Sequence, residues 1–352
     1  MVCGPMPSGR RLLLALLLAA GLACAGKVPP PAPSGEPRRP FRAERSWDDL
    51  RALAAIGPRV SGSEGAERAR AYLRGELEKL GLEVQETLLE VPRPKASEGT
   101  AEDQAAAEPP RSVAHLLAVI PGALPDVVLL AASYDSEPKE GIEYVAANAS
   151  GSGPALVLEL ARALAADPLP YTTWLAFIDG DTGGAPVENR IGSKLWVRKL
   201  AADGDLERIR LAVFFRQVAD ADLLIHRDLY SHRIYREAFW RAAARVGGET
   251  AFPPDADFTT PSGSHVSFLE VGMRRVVAIV DVIYGGTEFP GAWSGGAEDT
   301  PEHCSAESLG TVGRVSLEAL DELTRMLEKV DRLVPSAPPE EVQGPAPEGA
   351  GE

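Results

Sequence analysis

Short apolar runs alternate along the chain with segments in which apolar residues recur every three or four positions. Residues 127–132 (VVLLAA) are continuously apolar, which is typical of a strand buried on both faces. Similar runs occupy residues 173–178, 211–215 and 276–280. Residues 82–91 alternate between apolar and polar instead, as a strand near a sheet edge does. These segments predict a sheet with a parallel core.

Segments with helical spacing separate the predicted strands. Apolar residues from Ala66 to Leu80 follow this spacing; Ser61 or Ser63 can cap the start of that helix, and Gly81 can end it. Further helices are predicted at residues 154–166, 192–201, 230–246 and 306–330. The alternation predicts an α/β fold with three αβα layers, in which a mostly parallel, twisted sheet lies between two layers of helices.

The first 25 residues have the pattern of a signal peptide of the lipoprotein type. Arg10 and Arg11 precede an apolar run from Leu12 to Ala23, which is too short to span a bilayer. Small residues before Cys24 predict that this cysteine is lipidated. Cleavage by an ordinary signal peptidase and a retained anchor are the alternatives. We expect an exported protein of the cell envelope, lipid-anchored to a bacterial membrane or else periplasmic or secreted.

Composition divides the remainder into a folded domain and polar segments. Residues 26–45 are rich in proline and predict a tether, and residues 46–333 carry the alternating pattern of a single domain. Residues 93–111 predict a mobile insert between two strands. Residues 334–352 consist largely of Pro, Gly, Glu and Ala, which cannot form a core and predict a disordered tail.

Charge and cysteine content exclude several classes of protein. With 36 Lys and Arg against 51 Asp and Glu, the formal net charge of the 352-residue chain is −15, which argues against nucleic acid as a partner. Of the three cysteines, Cys3 and Cys24 belong to the signal segment. Cys304 is alone in the predicted domain, so no internal disulfide is expected there.

Polar residues follow directly after four of the predicted buried strands. They are Ser133 to Asp135, Asp179 to Thr182, Arg216 and Asp281. In an open α/β sheet the carboxyl ends of the strands form the crevice where ligands bind. The sequence therefore predicts a pocket at which these four points converge.

Short motifs extend in a fixed order through nearly the whole predicted domain. They are Gly57-Pro58-Arg59, Ser61-Gly62-Ser63, Ser133-Tyr134-Asp135-Ser136, Asn148-Ala149-Ser150-Gly151, Phe177-Ile178-Asp179-Gly180, Gly192-Ser193-Lys194, His265-Val266-Ser267-Phe268-Leu269 with Gly272, Asp299-Thr300 and Cys304-Ser305. Together they resemble the secreted zinc aminopeptidases and the bacterial glutaminyl-peptide cyclotransferases. The resemblance implies that the predicted fold is of the zinc aminopeptidase type.

Members of that family hold one or two zinc ions at the carboxyl ends of the strands, with His, Asp, Glu, Asp and His as ligands. The resemblance places these ligand positions on Ser133, Ala147, Thr182, Arg216 and Ser294. Hydroxyl, methyl and guanidinium groups do not replace imidazole and carboxylate as zinc ligands. The general base of the family falls on Asp181. No metal or other cofactor is therefore predicted for this chain.

The resemblance also defines the pocket in residue detail. Loss of the zinc ions removes more positive charge than loss of the carboxylate ligands removes negative charge, and one arginine would restore the balance. Arg216 is therefore expected to lie in the vacated metal site and to pair with Asp135 and Asp181, with Asp179 as a further candidate. An aromatic residue beside the last ligand position, here Trp293, is expected to hold a substrate side chain. The predicted pocket consists of Ser133, Asp135, Ala147, Asp179, Asp181, Thr182, Arg216, Trp293 and Ser294.

These patterns predict a non-catalytic relative of the zinc enzymes. We expect it to bind a peptide or a protein partner in the former active-site cleft. A lipid anchor is expected to be its sole contact with the membrane. One alternative is an active metallopeptidase or glutaminyl-peptide cyclotransferase with a non-standard metal site around Asp135, Asp179 and Asp181. Another is a purely structural envelope component. A serine hydrolase using Ser133 or Ser264 is disfavoured because no Gly-x-Ser-x-Gly elbow is present.

Overall fold

The structure, a computed structural model, describes residues 39–92, 112–182 and 190–333. The predicted signal peptide with Cys24, the insert at 93–111 and the tail at 334–352 lie outside the described residues. Within the described ranges, no helix combines the length and the apolar character needed to cross a membrane.

A six-stranded sheet forms the centre of the fold. The strands of the structure are β1 (Val84–Glu90), β2 (Ser112–Ile120), β3 (Leu124–Ser133), β4 (Tyr171–Ile178), β5 (Ile209–Arg216), β6 (Arg227–Asp228), β7 (Phe258–Thr259) and β8 (Val276–Val280). The order in the large sheet is β1-β2-β4-β3-β5-β8, while β6 and β7 form a separate two-stranded sheet.

Four neighbouring strands of the large sheet run parallel, and the fold class predicted from the sequence is confirmed. β3 pairs in parallel with β4 on one side and with β5 on the other, and β5 pairs in parallel with β8. β2 pairs antiparallel with both β1 and β4, so it is the one reversed strand of the sheet. Because the chain moves from β3 to opposite sides of the sheet, the order of the strands reverses beside β3, where ligands bind in open α/β sheets.

Helices cover both faces of the sheet. They are α1 (Ala43–Ala55), α2 (Glu64–Glu78), α3 (Ser152–Ala166), α4 (Ile191–Ala202), α5 (Arg233–Val246), α6 (Ser264–Glu270) and α7 (Ala306–Leu333). One apolar cluster joins one sheet face to residues of α1, α2, α3, α5 and α7. A second cluster joins the other face to Trp196 and Val197 of α4 and Phe268 of α6. These clusters are the two interfaces of a three-layer fold.

The packed domain begins earlier than the sequence pattern predicts. Helix α1 starts at Ala43, and the side chains of Arg39 and Phe41 are both buried. Arg39 forms ion pairs with Asp167 and Asp321, on two other helical segments of the domain. The boundary predicted between residues 45 and 46 is therefore too late, because residues of the proline-rich segment contribute to packing.

Helix α3 lies unusually close to the sheet at its first turn. A Cβ atom on Gly153 would be 2.5 Å from the carbonyl oxygen of Phe215 and 2.9 Å from the Cβ atom of Ala132. A glycine is required there because any side chain would separate the helix from strands β3 and β5. This close approach brings the turn of π-helix at Ala147–Gly151, directly before α3, to the carboxyl ends of those strands.

Candidate functional site

A cavity of about 620 Å³ opens at the carboxyl ends of the parallel strands. Its wall includes Ser133 at the end of β3, Asp181 after β4, Arg216 at the end of β5 and Val280 at the end of β8. Parallel strands expose their carboxyl ends at one edge of a sheet, which is why residues so distant in sequence meet here.

Five of the nine residues predicted for the pocket line this cavity. They are Ser133, Asp181, Thr182, Arg216 and Ser294. The other four do not line it.

The predicted position of Trp293 in the pocket wall is wrong. Its ring stacks on His303 with a centroid distance of 3.9 Å and contacts Tyr284 edge-on at 5.5 Å. Trp293 does not line the cavity, while the next residue, Ser294, does. Trp293 therefore does not form a wall that would hold a ligand side chain in this cavity.

Asp135 lies behind the cavity wall and is 1 % exposed. Its Oδ2 atom accepts hydrogen bonds from the backbone N–H of Thr182 at 2.9 Å and from the Thr182 hydroxyl at 2.5 Å. Its Oδ1 atom is buried without a hydrogen-bond partner. Burial, followed by the nearby charge of Asp179, raises the pKa of Asp135 to about 7. Thr182 thus directs both of its donor groups to this carboxyl.

Asp179 is also fully buried and joins the start of the domain to the sheet. One carboxylate oxygen accepts a hydrogen bond from the Ser61 hydroxyl at 2.6 Å, and the other accepts from the backbone N–H of Ala114 at 2.9 Å. Burial raises its pKa although these hydrogen bonds act in the opposite direction. The predicted placement of Asp179 in the pocket is wrong because the side chain turns toward Ser61 and β2.

Ala147 is fully buried as well and contributes no surface to the cavity. Its neighbours Ala146 and Ala149 line the cavity instead. The backbone N–H of Ala147 donates to the carbonyl oxygen of Asp299 at 3.1 Å. The predicted position of Ala147 in the wall is therefore off by one or two residues, because the turn of π-helix directs its methyl group inward.

Asp181 lines the cavity, and neutral donors form hydrogen bonds to both of its carboxylate oxygens. The Ser264 hydroxyl donates a short hydrogen bond to one of its oxygens, and the backbone N–H of Ser193 donates to the other at 2.7 Å. The Ser264 oxygen also lies 3.0 Å from the Ser133 hydroxyl. Burial raises the pKa of Asp181, and these hydrogen bonds oppose the shift.

Arg216 does not form the ion pairs predicted from the sequence. Among the residues that the structure describes, no ion pair joins it to Asp135, Asp179 or Asp181, and the predicted pairing is wrong. Hydroxyl and amide groups already donate to five of the six oxygens of these carboxyls, and only Oδ1 of Asp135 has no donor in the described part of the chain. Burial lowers the pKa of Arg216.

Asp281, the fourth predicted strand-end residue, faces away from the cavity. It is fully buried, and its two oxygens accept from the backbone N–H groups of Leu224 at 2.8 Å and Ile283 at 3.0 Å. Burial raises its pKa to about 7. Asp281 therefore holds two loops together rather than facing a ligand.

Arg59 fixes the loops behind the cavity from within the domain. Its buried guanidinium donates to the carbonyl oxygens of Tyr134, Val145 and Ala146 at 2.7–3.0 Å and to the Ser150 hydroxyl at 3.0 Å. A planar guanidinium can serve several acceptors at once, which a Lys side chain cannot match. The loop before α3 is therefore held in one position relative to the end of β3.

Asp299 holds the other side of the same loop. Its carboxylate accepts from the backbone N–H groups of Asn148 at 2.7 Å and Ala149 at 3.2 Å and from the Tyr144 hydroxyl at 3.2 Å. Burial raises its pKa to about 6. Together with Arg59, this residue makes the edge of the cavity a rigid structure.

Backbone strain concentrates at the cavity. In the described ranges three residues other than glycine have φ in the left-handed region: Ala146 at 48°, Arg190 at 65° and Gln217 at 53°. All three line the cavity. Such conformations are unfavourable for residues with a Cβ atom and persist where the surrounding structure enforces them, most often at functional sites.

Sequence reasoning missed the residues that complete the polar wall. It assigned no role to Arg190, whose guanidinium pairs with Glu270 at 3.0 Å and donates to Ser267 at 3.1 Å. It treated Ser264 only as a hydrolase nucleophile, whereas this serine anchors Asp181. The signal available was Gly263-Ser264 at the start of a short helix, since serines at helix starts turn their hydroxyls toward nearby polar groups.

The residues at the strand ends do not fit a zinc ion. The side chains at the positions that the sequence resemblance assigns to zinc ligands are two serines, an alanine, a threonine and an arginine, and a guanidinium repels a cation. Among the residues described in the structure, no three His, Cys, Asp or Glu side chains come together in an arrangement that could hold a metal ion. These side chains therefore support no reaction step through a metal ion.

Known structures share this fold over most of the chain. A glutaminyl cyclase from an Acidobacteriales bacterium is 25% identical, with a TM-score of 0.72 over 84% of this chain and 99% of that one. The Porphyromonas gingivalis glutaminyl cyclase is 21% identical, with a TM-score of 0.68 over 80% and 99%. A Zn-dependent exopeptidase from Parabacteroides distasonis is 18% identical, with a TM-score of 0.68 over 81% and 99%. The fold is thus one that the chain shares with glutaminyl cyclases and a Zn-dependent exopeptidase.

The sequence pattern of peptidase family M28 matches residues 115–320, which is more than half of the chain. The protein belongs to this family, and the resemblance noted from the sequence motifs is confirmed. No curated protein matches the chain significantly.

Proposed function

We propose that this protein is a non-catalytic member of peptidase family M28 that binds a peptide or a segment of a protein partner in the strand-end cavity. The observation that supports the proposal most directly is the set of side chains at the carboxyl ends of the parallel strands. Ser133 and Thr182 are engaged with serine and carboxyl partners, and Arg216 introduces a positive charge where the family binds a cation.

Retention of the cavity supports a binding role over a purely structural one. The cavity keeps a volume of about 620 Å³, within the range of small-molecule and peptide sites. The strained backbone of Ala146, Arg190 and Gln217 surrounds it. A protein that needed only the scaffold would gain stability by relaxing these residues and filling the space.

The zinc content of the purified protein tests the loss of metal chemistry. We expect far less than one zinc per chain by elemental analysis, with no release of ammonia from peptides with N-terminal glutamine and no hydrolysis of leucine p-nitroanilide. A stoichiometric zinc content that a chelator removes together with either activity would refute the proposal in favour of an enzyme with a metal site around Asp135, Asp179 and Asp181.

A reconstructed ligand set provides the matched positive control. The combined variant Ser133→His, Ala147→Asp, Thr182→Glu, Arg216→Asp and Ser294→His restores the donors that zinc prefers. We expect this variant to acquire zinc while Ser133→His alone does not. Circular dichroism of both variants checks that they fold, and the zinc content of the unmodified protein decides the question independently.

We further propose that the protein is exported and lipid-anchored through Cys24. The support is the arrangement of Arg10 and Arg11 before an apolar run that ends at this cysteine. Metabolic labelling with a clickable palmitate analogue in a bacterial host should label the full chain but not the Cys24→Ser variant. Equal labelling of both, or retention of both in the cytoplasm, would exclude the anchor.

A further inference from the structure

The charged side chains that line the cavity are Glu137, Asp181, Arg190 and Arg216. Three of them have partners. Glu137 pairs with Lys139 at 2.7 Å, Arg190 pairs with Glu270 at 3.0 Å, and Asp181 accepts from Ser264 and Ser193. The guanidinium of Arg216 has no ion pair and no hydrogen bond with any residue in the described part of the chain. Within the described residues, this positive charge in the wall therefore has no ion-pair partner.

The guanidinium without a partner among the described residues belongs to Arg216, at the end of the central strand β5. Arginine remains protonated at neutral pH, so the charge cannot be removed by deprotonation. Arg216 is half-buried in the cavity wall, where no carboxylate of the described residues pairs with it, so a ligand that carries a negative charge into the cavity would supply the counter-charge. The group that a planar guanidinium binds best is a carboxylate, through two parallel hydrogen bonds.

We propose that the cavity binds a carboxylate-bearing peptide and that Arg216 is the residue that binds the carboxylate. This inference rests on the proposed binding function and names the chemistry of its ligand. The surroundings of Arg216 fit such a ligand. The hydroxyl of Ser294 lines the same cavity and can donate to a peptide oxygen, while Val282 and Phe289 provide apolar contact.

The charge of the wall favours a monoanionic carboxylate over phosphate. Arg190 is already neutralised by Glu270, so a single free positive charge faces the ligand. Asp181 lines the same cavity, and its charge would repel a dianionic phosphate more strongly than a monoanionic carboxylate, with only one guanidinium to offset the repulsion. A carboxylate balances the one unpaired charge.

The test is calorimetric binding of defined probes to the purified protein. The probes are the peptide Ala-Phe-Ala with a free carboxylate, its C-terminal amide, the amide Ala-Phe-Glu-NH2 and inorganic phosphate. We expect the free acid or the glutamate peptide to bind at least tenfold more tightly than Ala-Phe-Ala-NH2. Which of the two binds more tightly distinguishes a C-terminal carboxylate from an acidic side chain. Tighter binding of phosphate than of either acid would overturn the proposal.

Single-residue variants then test whether Arg216 causes the tighter binding of the acidic probe. In Arg216→Gln the advantage of the acidic probe over the amide should disappear, whereas Arg208→Gln, a change of an exposed arginine paired with Asp205, should leave it intact. Thermal unfolding shows whether Arg216→Gln remains folded. An unchanged preference in Arg216→Gln overturns the assignment of the carboxylate site.

The outcomes separate this inference from the function on which it rests. Equal binding of the acid and the amide peptides by the unmodified protein would overturn the carboxylate site but leave peptide binding in place. Failure of every peptide to bind would overturn both.

Discussion

Thr182 donates two hydrogen bonds to a single oxygen of Asp135, one from its backbone N–H and one from its hydroxyl. The position of Thr182 is the one that the family resemblance aligns with a zinc-binding glutamate. In this chain the residue points its polar groups at a buried carboxyl instead of at a metal. The polar edge of the sheet is thus stabilised by hydrogen bonds within the protein.

Removal of the Thr182 hydroxyl should destabilise the protein. In Thr182→Val the Asp135 carboxyl loses its shortest hydrogen bond, and its other oxygen already lacks a partner. We expect the free energy of unfolding to fall by about 1–3 kcal/mol in urea titrations. Thr260→Val, at an exposed threonine, is the control and should change it by less than about 0.5 kcal/mol. Equal effects of both substitutions would contradict the role assigned to this hydrogen bond.

Loss of the Ser264 hydroxyl should have a similar effect on Asp181. Ser264→Ala removes the side-chain donor to this buried carboxylate and the contact with Ser133. We expect a loss of about 1–3 kcal/mol in the free energy of unfolding. Ser262→Ala removes an exposed hydroxyl of the same cavity wall and should be near neutral. A Ser264→Ala variant as stable as the parent would show that the Ser193 amide alone suffices for Asp181.

Stability should decrease as the pH rises from about 4 through neutrality and then level off. Burial raises the pKa of Asp135 and of Asp281 to about 7, well above the value of an exposed aspartate. The folded protein therefore holds these protons more tightly than the unfolded chain, and the stabilisation present at low pH is lost as the pH rises through about 7. Between pH 6.5 and 8 we expect the free energy of unfolding to fall by about 1–2 kcal/mol.

Between pH 6.5 and 8, the effect of these carboxyls on stability can be distinguished from the effect of the buried histidines. Burial lowers the pKa of His115 to about 4 and that of His265 to about 3, so these groups destabilise the fold only as the pH falls below the ordinary histidine value. Urea unfolding at pH 6.5, 7.2 and 8 measures the carboxyl effect. Asp135→Asn should flatten the slope and stabilise the protein at pH 8. A slope unchanged by this substitution would place the titration elsewhere.

The arrangement of the sheet could be predicted because its buried strands have a distinctive composition. Residues 127–132 are apolar throughout and form the centre of β3, since a strand covered on both faces excludes polar side chains. Helix α1 could not be predicted, because a proline-rich and charged segment precedes it and its apolar positions are few. The burial of Arg39 depends on aspartates more than 120 residues away, which no local pattern reveals.

The edge of the sheet at which the site forms could also be predicted, but the direction of individual side chains could not. Asp179 and Asp181 are two residues apart after β4, yet one is buried against Ser61 and the other faces the cavity. The dihedral angles of the loop decide between these directions, and the spacing of residues does not contain them. Charge balance predicts that Arg216 pairs with the aspartates, but it ignores the nearer hydroxyl and amide donors.

Replacement of Arg216 by an uncharged residue should stabilise the protein while it removes the proposed binding site. The guanidinium has no ion-pair partner in the described part of the chain, and burial lowers its pKa, so the charge opposes folding in the absence of ligand. Arg216→Met keeps the length of the side chain and should raise the free energy of unfolding by about 1 kcal/mol. Differential scanning calorimetry should show a higher Tm, whereas the matched Arg208→Met variant at an exposed site should not.

A lower Tm for Arg216→Met would mean that the arginine makes favourable contacts in the free protein, and the argument for an anionic ligand would lose its basis. Greater stability combined with weaker peptide binding is the pattern expected when a residue is retained for function at the expense of the fold.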